Sequence, residues 1–475
     1  MKKTRFLLLS SMLLVSAAAV ADIRQSTLSD RKELDITIYN QDLALVKDRR
    51  AVRMNTGSVI LAFRDISAGI RPETVLLRSM TSPASLHVNE QNVDQDILTP
   101  QKLLERHVGA MVGVVRVDPA TGTETSERAQ LLSSRDGVVL KIGNRIETNP
   151  PGRIVFDDIP AGLSDKPTLM FSLDNRGAGN QEIELGYLTG GLSWKADYVA
   201  ELSSDDSRAD LSGWFTITNS SGSAFHNARV RLVAGDVGRA YRSMTMAAMS
   251  PVAKSAPSPE NAPSESLSDY KLYTIDRPVS ILENQTKQIA LLSATDVPVR
   301  REWVLHGNDY YYRNAQSGAG QKMKIGIFIE LDNRKGGGLG VPLPKGTLRI
   351  YQRDARGNLQ FIGEDNLNHT PVNETVRLKL GDAFDIGAQR RQTSFTRLPG
   401  DGVNEYASES AHEVVLKNAK KEAVTVIVRE PVPGDWTILD ESHPHEKTAS
   451  NEAVWRIRVP AEGRAVLSYR SRVRY

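Results

Sequence analysis

The chain has 475 residues, of which 40% are hydrophobic and 25% charged, and its formal net charge is +3. This length allows several domains, each with its own core. The chain has no cysteine, which excludes disulfides, thiolate metal sites, iron–sulfur clusters and cysteine nucleophiles. Nearly balanced charge gives no electrostatic footprint for nucleic acid, so we expect no nucleic-acid partner.

Residues 1–21 have the pattern of a secretory signal peptide. Lys2, Lys3 and Arg5 precede an apolar run over residues 6–15, and Ala19-Val20-Ala21 supplies small residues at the cleavage spacing. The run is shorter than a spanning helix, although a retained N-terminal anchor is the alternative. We therefore expect a mature chain that begins at Asp22 and has no transmembrane span. The predicted location is the periplasm, with extracellular and outer-membrane-associated positions left open.

Alternation with period two runs through most of the chain and predicts a mainly β fold. We expect several antiparallel immunoglobulin-like β-sandwich domains with a small inserted β-barrel and few short helices. Residues 22–93 form the predicted N-terminal β domain, in which Leu34, Ile36 and Ile38 share one strand face and Asn40-Gln41-Asp42 makes the turn. Residues 94–162 are predicted to hold a short helix that begins at Thr99-Pro100, followed by an SH3-like or OB-like barrel of five short strands.

The strands lengthen in the second half of the chain. Residues 163–242 are predicted to form a β-sandwich, residues 269–400 its continuation, and residues 401–475 a C-terminal sandwich. Between the first two, residues 243–268 consist mainly of Met, Ala, Ser and Pro. This composition predicts a disordered loop.

Two adjacent glycines interrupt the stretch "ELGYLTGGLSWKADYVAEL", which begins at Glu184. A phosphate-binding loop needs a helix after its glycines, whereas a strand pattern follows here. We therefore predict a hairpin-like turn above packed aromatic side chains. The residues assigned this structural role are Tyr187, Gly190, Gly191, Trp194 and Tyr198.

The same stretch, followed by "LSGWFTITNSSGSAFHNARVRLVAGDV", resembles an uncharacterised bacterial family, domain-of-unknown-function family 4139, which includes the C-terminal half of mucoidy inhibitor A-like proteins. "DRPVSILENQTKQIALLSATDVPV" and "GEDNLNHTPVNETVRLKLGDAFDI" look like its later blocks, so the resemblance covers about residues 185–475. It implies a mostly β fold and export. Residues 94–160 lack the heptads of a coiled coil, which sets this branch apart from the mucoidy-inhibitor members. The resemblance implies no catalytic residues.

The segment "REWVLHGNDYYYRN", residues 301–314, is the favoured binding site. Aromatic faces near polar groups suit a sugar or a peptide edge. The alternative is that Tyr310 and Tyr312 point into a core while Tyr311 faces water. The candidate binding residues are Trp303, His306, Asp309, Tyr310, Tyr311 and Tyr312.

A metal site is the second candidate. His443 and His445 would face the same way on a strand, and Glu446 could complete a zinc set. Pro444 and the polar surroundings favour an exposed loop instead. We therefore predict no metal and no cofactor.

The predicted function is non-catalytic binding or scaffolding in the bacterial envelope, with an envelope protein or a glycan as partner. Recognition would use sandwich edges or the segment around Trp303, because edge strands offer backbone groups for strand addition. Two alternatives remain. One is a metal-dependent hydrolase of envelope polymers that uses His443, His445 and Glu446, and the other is a carbohydrate-binding module.

Overall fold

A computed structural model describes residues 22–94, 98–160, 163, 165–177, 179–235, 264–267, 270–316, 320–399 and 406–475. The predicted signal peptide and most of the predicted disordered loop lie outside these residues. The chain divides into two compact units. Among the described residues, unit 1 lies within 22–193, 218–235 and 265–286, and unit 2 within 194–217, 264 and 287–475. No helix in the described part of the chain is long and apolar enough to cross a membrane.

The fold is mainly β, as predicted. Up to the double glycine, the described residues form thirteen strands and one α-helix. They are β1 (Asp22–Ser26), β2 (Arg31–Tyr39), β3 (Leu43–Arg53), β4 (Gly57–Arg64), β5 (Leu76–Ser79), β6 (Leu86–Asp94), α1 (Pro100–Arg106), β7 (Met111–Val117), β8 (Glu124–Ser133), β9 (Val139–Ile142), β10 (Arg145–Thr148), β11 (Arg153–Val155), β12 (Thr168–Asn175) and β13 (Asn180–Thr189).

The remaining described strands follow in chain order. They are β14 (Leu192–Leu202), β15 (Arg208–Asn219), β16 (Phe225–Ala234), β17 (Ser264–Leu267), β18 (Tyr270–Thr274), β19 (Val279–Ile281), β20 (Gln285–His306), β21 (Gln321–Asp332), β22 (Gly346–Arg353), β23 (Leu359–Leu367), β24 (Thr375–Pro399), β25 (Tyr406–Asn418), β26 (Val424–Pro431), β27 (Asp435–Glu441), β28 (Glu446–Ala449), β29 (Glu452–Val459) and β30 (Arg464–Arg474). Short 3-10 helices occupy Leu28–Asp30, Pro72–Thr74, Pro83–Ser85, Asp309–Tyr312 and Lys335–Gly337.

Unit 1 contains two large sheets whose strands come from distant parts of the sequence. Their strand orders are β1-β4-β12-β6 and β17-β18-β16-β2-β3-β13-β5. The alternation predicted for Leu34, Ile36 and Ile38 is observed, since all three side chains are buried. Strands from residues 22–93 pair with β12, β13 and β16, so these sheets cross the sequence-based boundaries at residues 93 and 163. β17 also places residues 264–267 of the predicted disordered loop in a sheet, beside β18.

The insert of unit 1 begins with α1 and continues through β7 to β11. The Thr99 hydroxyl accepts a hydrogen bond from the Lys102 amide at 3.1 Å and caps the predicted helix start. The five predicted strands form one antiparallel sheet in the order β10-β9-β8-β7-β11. This sheet is open rather than a closed barrel, because β10 and β11 are edge strands of four and three residues. Its core includes Val112, Leu131 and Leu140.

Unit 2 is built on the strand order β23-β22-β14-β15-β20-β21-β24-β25-β30-β27, and β26 joins β20 to β29. In its C-terminal part, apolar side chains from β24, β25 and β30 pack against those from β26 and β29. This shared core includes Ile386, Leu416, Val426 and Trp455. Two layers of this one hydrogen-bonded sheet therefore pack through alternate side chains, in the sandwich-like arrangement that the sequence predicts.

Candidate binding face of unit 2

The sheet formed by β15, β14, β22 and β23 has one buried and one exposed face. In β14, Tyr198 and its alternate neighbours are buried, whereas Val199 points to the other side and is exposed. β14 and β22 run parallel, with Val199 opposite Arg349 and Glu201 opposite Tyr351. Because side chains alternate along a strand, one face of four adjacent strands is presented to solvent.

Large apolar side chains lie on this exposed face. Their exposed fractions are 38% for Trp214, 36% for Val199, 47% for Leu359 and 55% for Phe361. Tyr351 is half-buried and its ring meets Phe361 edge-on, with ring centroids 5.6 Å apart. We call these five residues the binding face: Val199, Trp214, Tyr351, Leu359 and Phe361. They extend over four strands, or about 14 Å at the usual strand spacing.

The turn between β14 and β15 places Trp214 next to Val199. The Ser203 amide donates to the Arg208 carbonyl at 2.9 Å and closes a hairpin. Further along, the Thr216 hydroxyl donates to Asp197 Oδ2 at 2.6 Å, so these two side chains face each other across the strands. Val199 is two residues nearer the turn than Asp197, and Trp214 is two residues nearer the turn than Thr216. Val199 and Trp214 therefore lie on the same face as that pair.

Ion pairs lie between the apolar side chains of the binding face. Asp197 Oδ1 lies 3.1 Å from Arg349 Nη1, and Arg349 Nε lies 3.1 Å from Glu364 Oε2. Arg353 Nε lies 2.7 Å from Glu201 Oε1. Burial alone would raise the pKa of Asp197, but hydrogen bonds from Thr216 and Arg349 hold that pKa below its ordinary value. Lys195 Nζ lies 3.4 Å from Asp197 Oδ1, so three cations balance three carboxylates on this face.

β23 is an edge strand whose only ladder partner among the described strands is β22. Its C-terminal half lies against β24, since the Lys379 amide donates to Asp365 Oδ2 at 2.7 Å. The N-terminal half, residues 359–362, has the sequence LQFI and carries neither charge nor proline. Natural edge strands are usually protected by charges, proline, bulges or short length. This half of β23 therefore has neither of the two chemical protections, charge and proline, although its pairing with β22 is interrupted by a bulge at Ile362.

β27, at the other end of the strand order, is a protected edge. It carries Asp435, Asp440 and Glu441, and its pairing with β30 is interrupted by a bulge between Ile438 and Asp440. Charges and bulges both oppose pairing with another chain. Both edge strands carry a bulge, so the two ends of this sheet differ in charge: β27 has three acidic residues, whereas residues 359–362 of β23 have none.

The predicted aromatic segment is split between surface and core. Trp303 is half-buried on β20 and His306, the last residue of that strand, is exposed. Asp309–Tyr312 forms a 3-10 helix in which Tyr310 is exposed, whereas Tyr311 and Tyr312 are buried. The six predicted residues do not form one surface. The alternative that placed Tyr311 in water is also wrong, because it assumed strand alternation where the chain forms a helical turn.

Tyr312 belongs to a fully enclosed polar group. Its hydroxyl lies 3.0 Å from Glu430 Oε2 and 2.9 Å from the Tyr469 hydroxyl. Arg390 forms an ion pair with Glu430 and donates from Nη2 to the Tyr469 hydroxyl at 2.9 Å. We call Tyr312, Arg390, Glu430 and Tyr469 the buried charge cluster. Burial raises the pKa of Glu430, although the Arg390 charge opposes this change.

His412 lies beside the buried charge cluster. Its Nε2 is 3.1 Å from the Ser410 hydroxyl, and its ring lies between those of Tyr312 and Tyr469, at centroid distances of 5.4 and 5.3 Å. Burial, followed by the Arg390 charge, lowers the pKa of His412 to about 2. The imidazole is therefore neutral and enclosed. His412 and Tyr469 also belong to the lining of an open cavity whose wall includes Glu413, Glu441 and Arg470.

The predicted metal candidates are not gathered into a ligand set. His445 Nδ1 lies 2.9 Å from Glu441 Oε2, and His443 Nδ1 lies 2.9 Å from the Ser442 hydroxyl. Glu446 is on β28, where it lies 3.6 Å from Arg456. Within the described residues, no group of three or more potential metal ligands is present.

The double glycine connects two sheets instead of closing a hairpin ladder, which corrects that part of the prediction. β13 pairs with β3 and β5, whereas β14 pairs with β22. Gly191 has φ +79°, and a Cβ added there would lie 2.5 Å from Ser221 Cα. Glycine is therefore required at this position. Gly190 precedes it, and its amide donates to the Gly69 carbonyl at 3.0 Å.

The three aromatic residues around the double glycine are buried. The Tyr187 hydroxyl accepts from the Ser67 amide at 3.2 Å, and the Tyr198 hydroxyl donates to the Pro344 carbonyl at 2.7 Å. Trp194 packs edge-on against Phe215, with ring centroids 5.5 Å apart. Their surroundings are those of core residues.

Residues 183–475, more than half of the chain, match the family model described as a domain of unknown function (DUF4139). The chain belongs to the DUF4139 family. The match includes every strand of the binding face, so this face is part of the DUF4139 region and not of a separate insertion. No curated protein matches the chain. The family description assigns no activity.

Sequence reasoning missed the residues of the binding face. Trp214 is the exposed member of an alternating strand, and that alternation in "DLSGWFTITN" is the signal that could have found it. Leu359 and Phe361 alternate in the same way, but an edge position cannot be read from a single strand. Their exposure is therefore visible only in the sheet order.

Proposed function

We propose that this DUF4139 protein is an exported, non-catalytic binding or scaffolding protein of the bacterial envelope. It holds a partner protein by strand addition at residues 359–362 of β23. The observation that carries this proposal is an edge segment without charge or proline that exposes both Leu359 and Phe361. Export is supported by the N-terminal basic and apolar pattern.

Strand addition supplies both affinity and selectivity at such an edge. The partner's backbone would extend the β22–β23 ladder, while its alternate side chains would lie beside Leu359 and Phe361. Burying one large apolar side chain contributes about 1.5–3 kcal/mol. The partner is therefore expected to offer an extended segment with apolar residues at alternate positions.

The test is in-cell crosslinking of tagged mature protein, with mass spectrometry of the captured proteins. We expect a recurrent envelope partner whose recovery falls at least tenfold in Phe361→Lys, because a charge on the edge opposes pairing. Leu439→Lys is the matched control, since Leu439 is 37% exposed on the protected edge β27. Equal recovery with both variants, or no recurrent partner across crosslinkers, would contradict the proposal.

The structure gives less support to the alternative of a metal-dependent hydrolase. His443 and His445 are engaged with Ser442 and Glu441. We therefore do not propose hydrolysis. The carbohydrate-binding alternative is favoured by a different observation, the exposed aromatic rings around Trp214.

A further inference from the structure

We infer that the binding face also holds a glycan, an uncharged saccharide chain that lies across β15, β14, β22 and β23. This inference goes beyond strand addition, because it uses the exposed face of the sheet rather than the β23 backbone; Phe361 contributes to both, whereas Trp214 belongs to the glycan inference alone. Three features carry it: the spacing of the aromatic rings, the balance of the charges, and the interruption of the apolar area.

The aromatic rings are placed for an extended ligand. Trp214 lies on β15 at one side, and Phe361 with Tyr351 lies on β23 and β22 at the other. Three strand spacings separate the two sides across the sheet, about 14 Å in that direction, and Trp214 and Phe361 are also offset along the strands. An aromatic ring offers a rigid apolar surface at low cost in conformational entropy. The C–H face of a sugar ring is a matching apolar surface, so separate rings can hold separate units of one chain.

The charges of the face select an uncharged ligand. Arg349 is paired with both Asp197 and Glu364, and Arg353 is paired with Glu201. An anionic ligand would have to compete with these carboxylates for the arginines. Hydroxyl groups can instead bond to the free lone pairs of exposed carboxylates without breaking an ion pair. Charge complementarity therefore favours a neutral saccharide over a phosphate-bearing or otherwise anionic polymer.

The apolar area is broken into ring-sized pieces. Val199 lies directly opposite Arg349, and Tyr351 lies directly opposite Glu201, so charged side chains alternate with apolar ones across the strands. The core of a protein–protein interface is depleted of charged residues. A saccharide chain, in which apolar ring faces alternate with hydroxyl groups, fits this mixed surface better than a second protein does.

Tryptophan fluorescence provides the test. The chain has five tryptophans. Of these, Trp194, Trp436 and Trp455 are buried, Trp303 is half-buried, and Trp214 is 38% exposed. Purified mature protein is titrated with neutral hexasaccharides of β-1,4-linked glucose and of β-1,4-linked N-acetylglucosamine, and with a sulfated hexasaccharide. We expect saturable binding of a neutral probe, with a fluorescence change that is absent in Trp214→Phe.

Isothermal titration calorimetry measures the affinities of the variants. We expect Trp214→Ala to weaken neutral-glycan binding at least tenfold, whereas Trp303→Ala leaves it unchanged. Circular dichroism and the melting temperature check that each variant is folded. The inference is overturned if no neutral probe binds at millimolar concentration, if Trp214→Ala binds as tightly as the native chain, or if the sulfated probe binds more tightly than both neutral probes.

Protein capture separates this inference from strand addition. Trp214→Ala is expected to leave recovery of the crosslinked partner unchanged, because Trp214 is three strands away from the β23 edge. Loss of partner recovery in Trp214→Ala, together with no glycan binding, would show that the face binds protein and would overturn the glycan assignment. Strand addition at β23 would survive that result.

Discussion

Two regions of unit 2 combine aromatic rings with arginine and carboxylate groups, yet their environments are opposite. In the buried charge cluster, the hydroxyls of Tyr312 and Tyr469 and the charges of Arg390 and Glu430 bond to one another inside the sandwich. On the binding face, Val199, Trp214, Leu359 and Phe361 are exposed to solvent and Tyr351 is half-buried. Removing one member of the buried charge cluster leaves an unpaired polar group in the core. Removing a ring from the binding face leaves no buried polar group without a partner. The same residue types therefore contribute to stability in one region and remain available for recognition in the other.

The largest expected effect comes from breaking the Arg390–Glu430 pair. Arg390→Leu would leave the Glu430 carboxylate buried without its cation, which is expected to cost about 3–5 kcal/mol of unfolding free energy. Urea unfolding measures the change. Replacing both partners, as in Arg390→Met with Glu430→Leu, should recover most of the loss, because it leaves no uncompensated charge. A loss below about 1 kcal/mol in Arg390→Leu alone would show that the pair is not needed for stability.

The contribution of His412 to the unfolding free energy depends on pH. The folded-state pKa of His412 is about 2, below that of the unfolded chain, so the unfolded chain takes up the proton first. The His412 contribution is fully present above the unfolded pKa of about 6.5 and is lost as pH falls, at about 1.4 kcal/mol per pH unit. The difference in unfolding free energy between the native chain and His412→Gln should therefore shrink between pH 6.5 and pH 4.5. A pH-independent difference would contradict this assignment.

The neighbouring tyrosines should respond unequally to loss of a hydroxyl. Tyr312→Phe removes the hydroxyl that bonds to both Glu430 and Tyr469, at an expected cost of about 1–3 kcal/mol. Tyr310→Phe is the matched control, since Tyr310 is exposed two residues earlier in the same 3-10 helix and should change stability by less than about 0.5 kcal/mol. Thermal and urea unfolding of both variants measure the difference. Equal effects would remove the distinction between buried and exposed members of the 3-10 turn.

These contrasts also show what a single sequence can predict. Period-two alternation correctly predicted the β fold, the turn before Leu43, and the burial of Leu34, Ile36 and Ile38, because each depends on neighbours in sequence. The helix start at Thr99 was predicted by its cap for the same reason. The alternation rule failed at the three tyrosines, where Asn308 caps a 3-10 helix by accepting from the Tyr310 amide at 3.3 Å.

The candidate sites depend on contacts that are distant in sequence. Arg390 and Glu430 are brought together by the packing of β24 against β26, and no local pattern marks either residue as buried. Phe361 occupies an alternating strand that would be equally suited to a sheet centre. Only the strand order places Phe361 at an edge. For this reason the sequence patterns predicted a binding site around Trp303 and not on β23.

The smallest expected effect tests the binding face directly. Trp214→Ala and Phe361→Ala should each change the unfolding free energy by no more than about 0.5 kcal/mol, because exposed side chains outside a core contribute little to folding. The same two variants are expected to lose glycan binding, and Phe361→Ala also weakens partner capture. Large side chains that matter for binding but not for folding are the expected signature of a recognition surface. A stability loss above about 2 kcal/mol in either variant would instead mark that ring as part of the core, since such losses arise from buried sites. That ring would then no longer belong to the binding face.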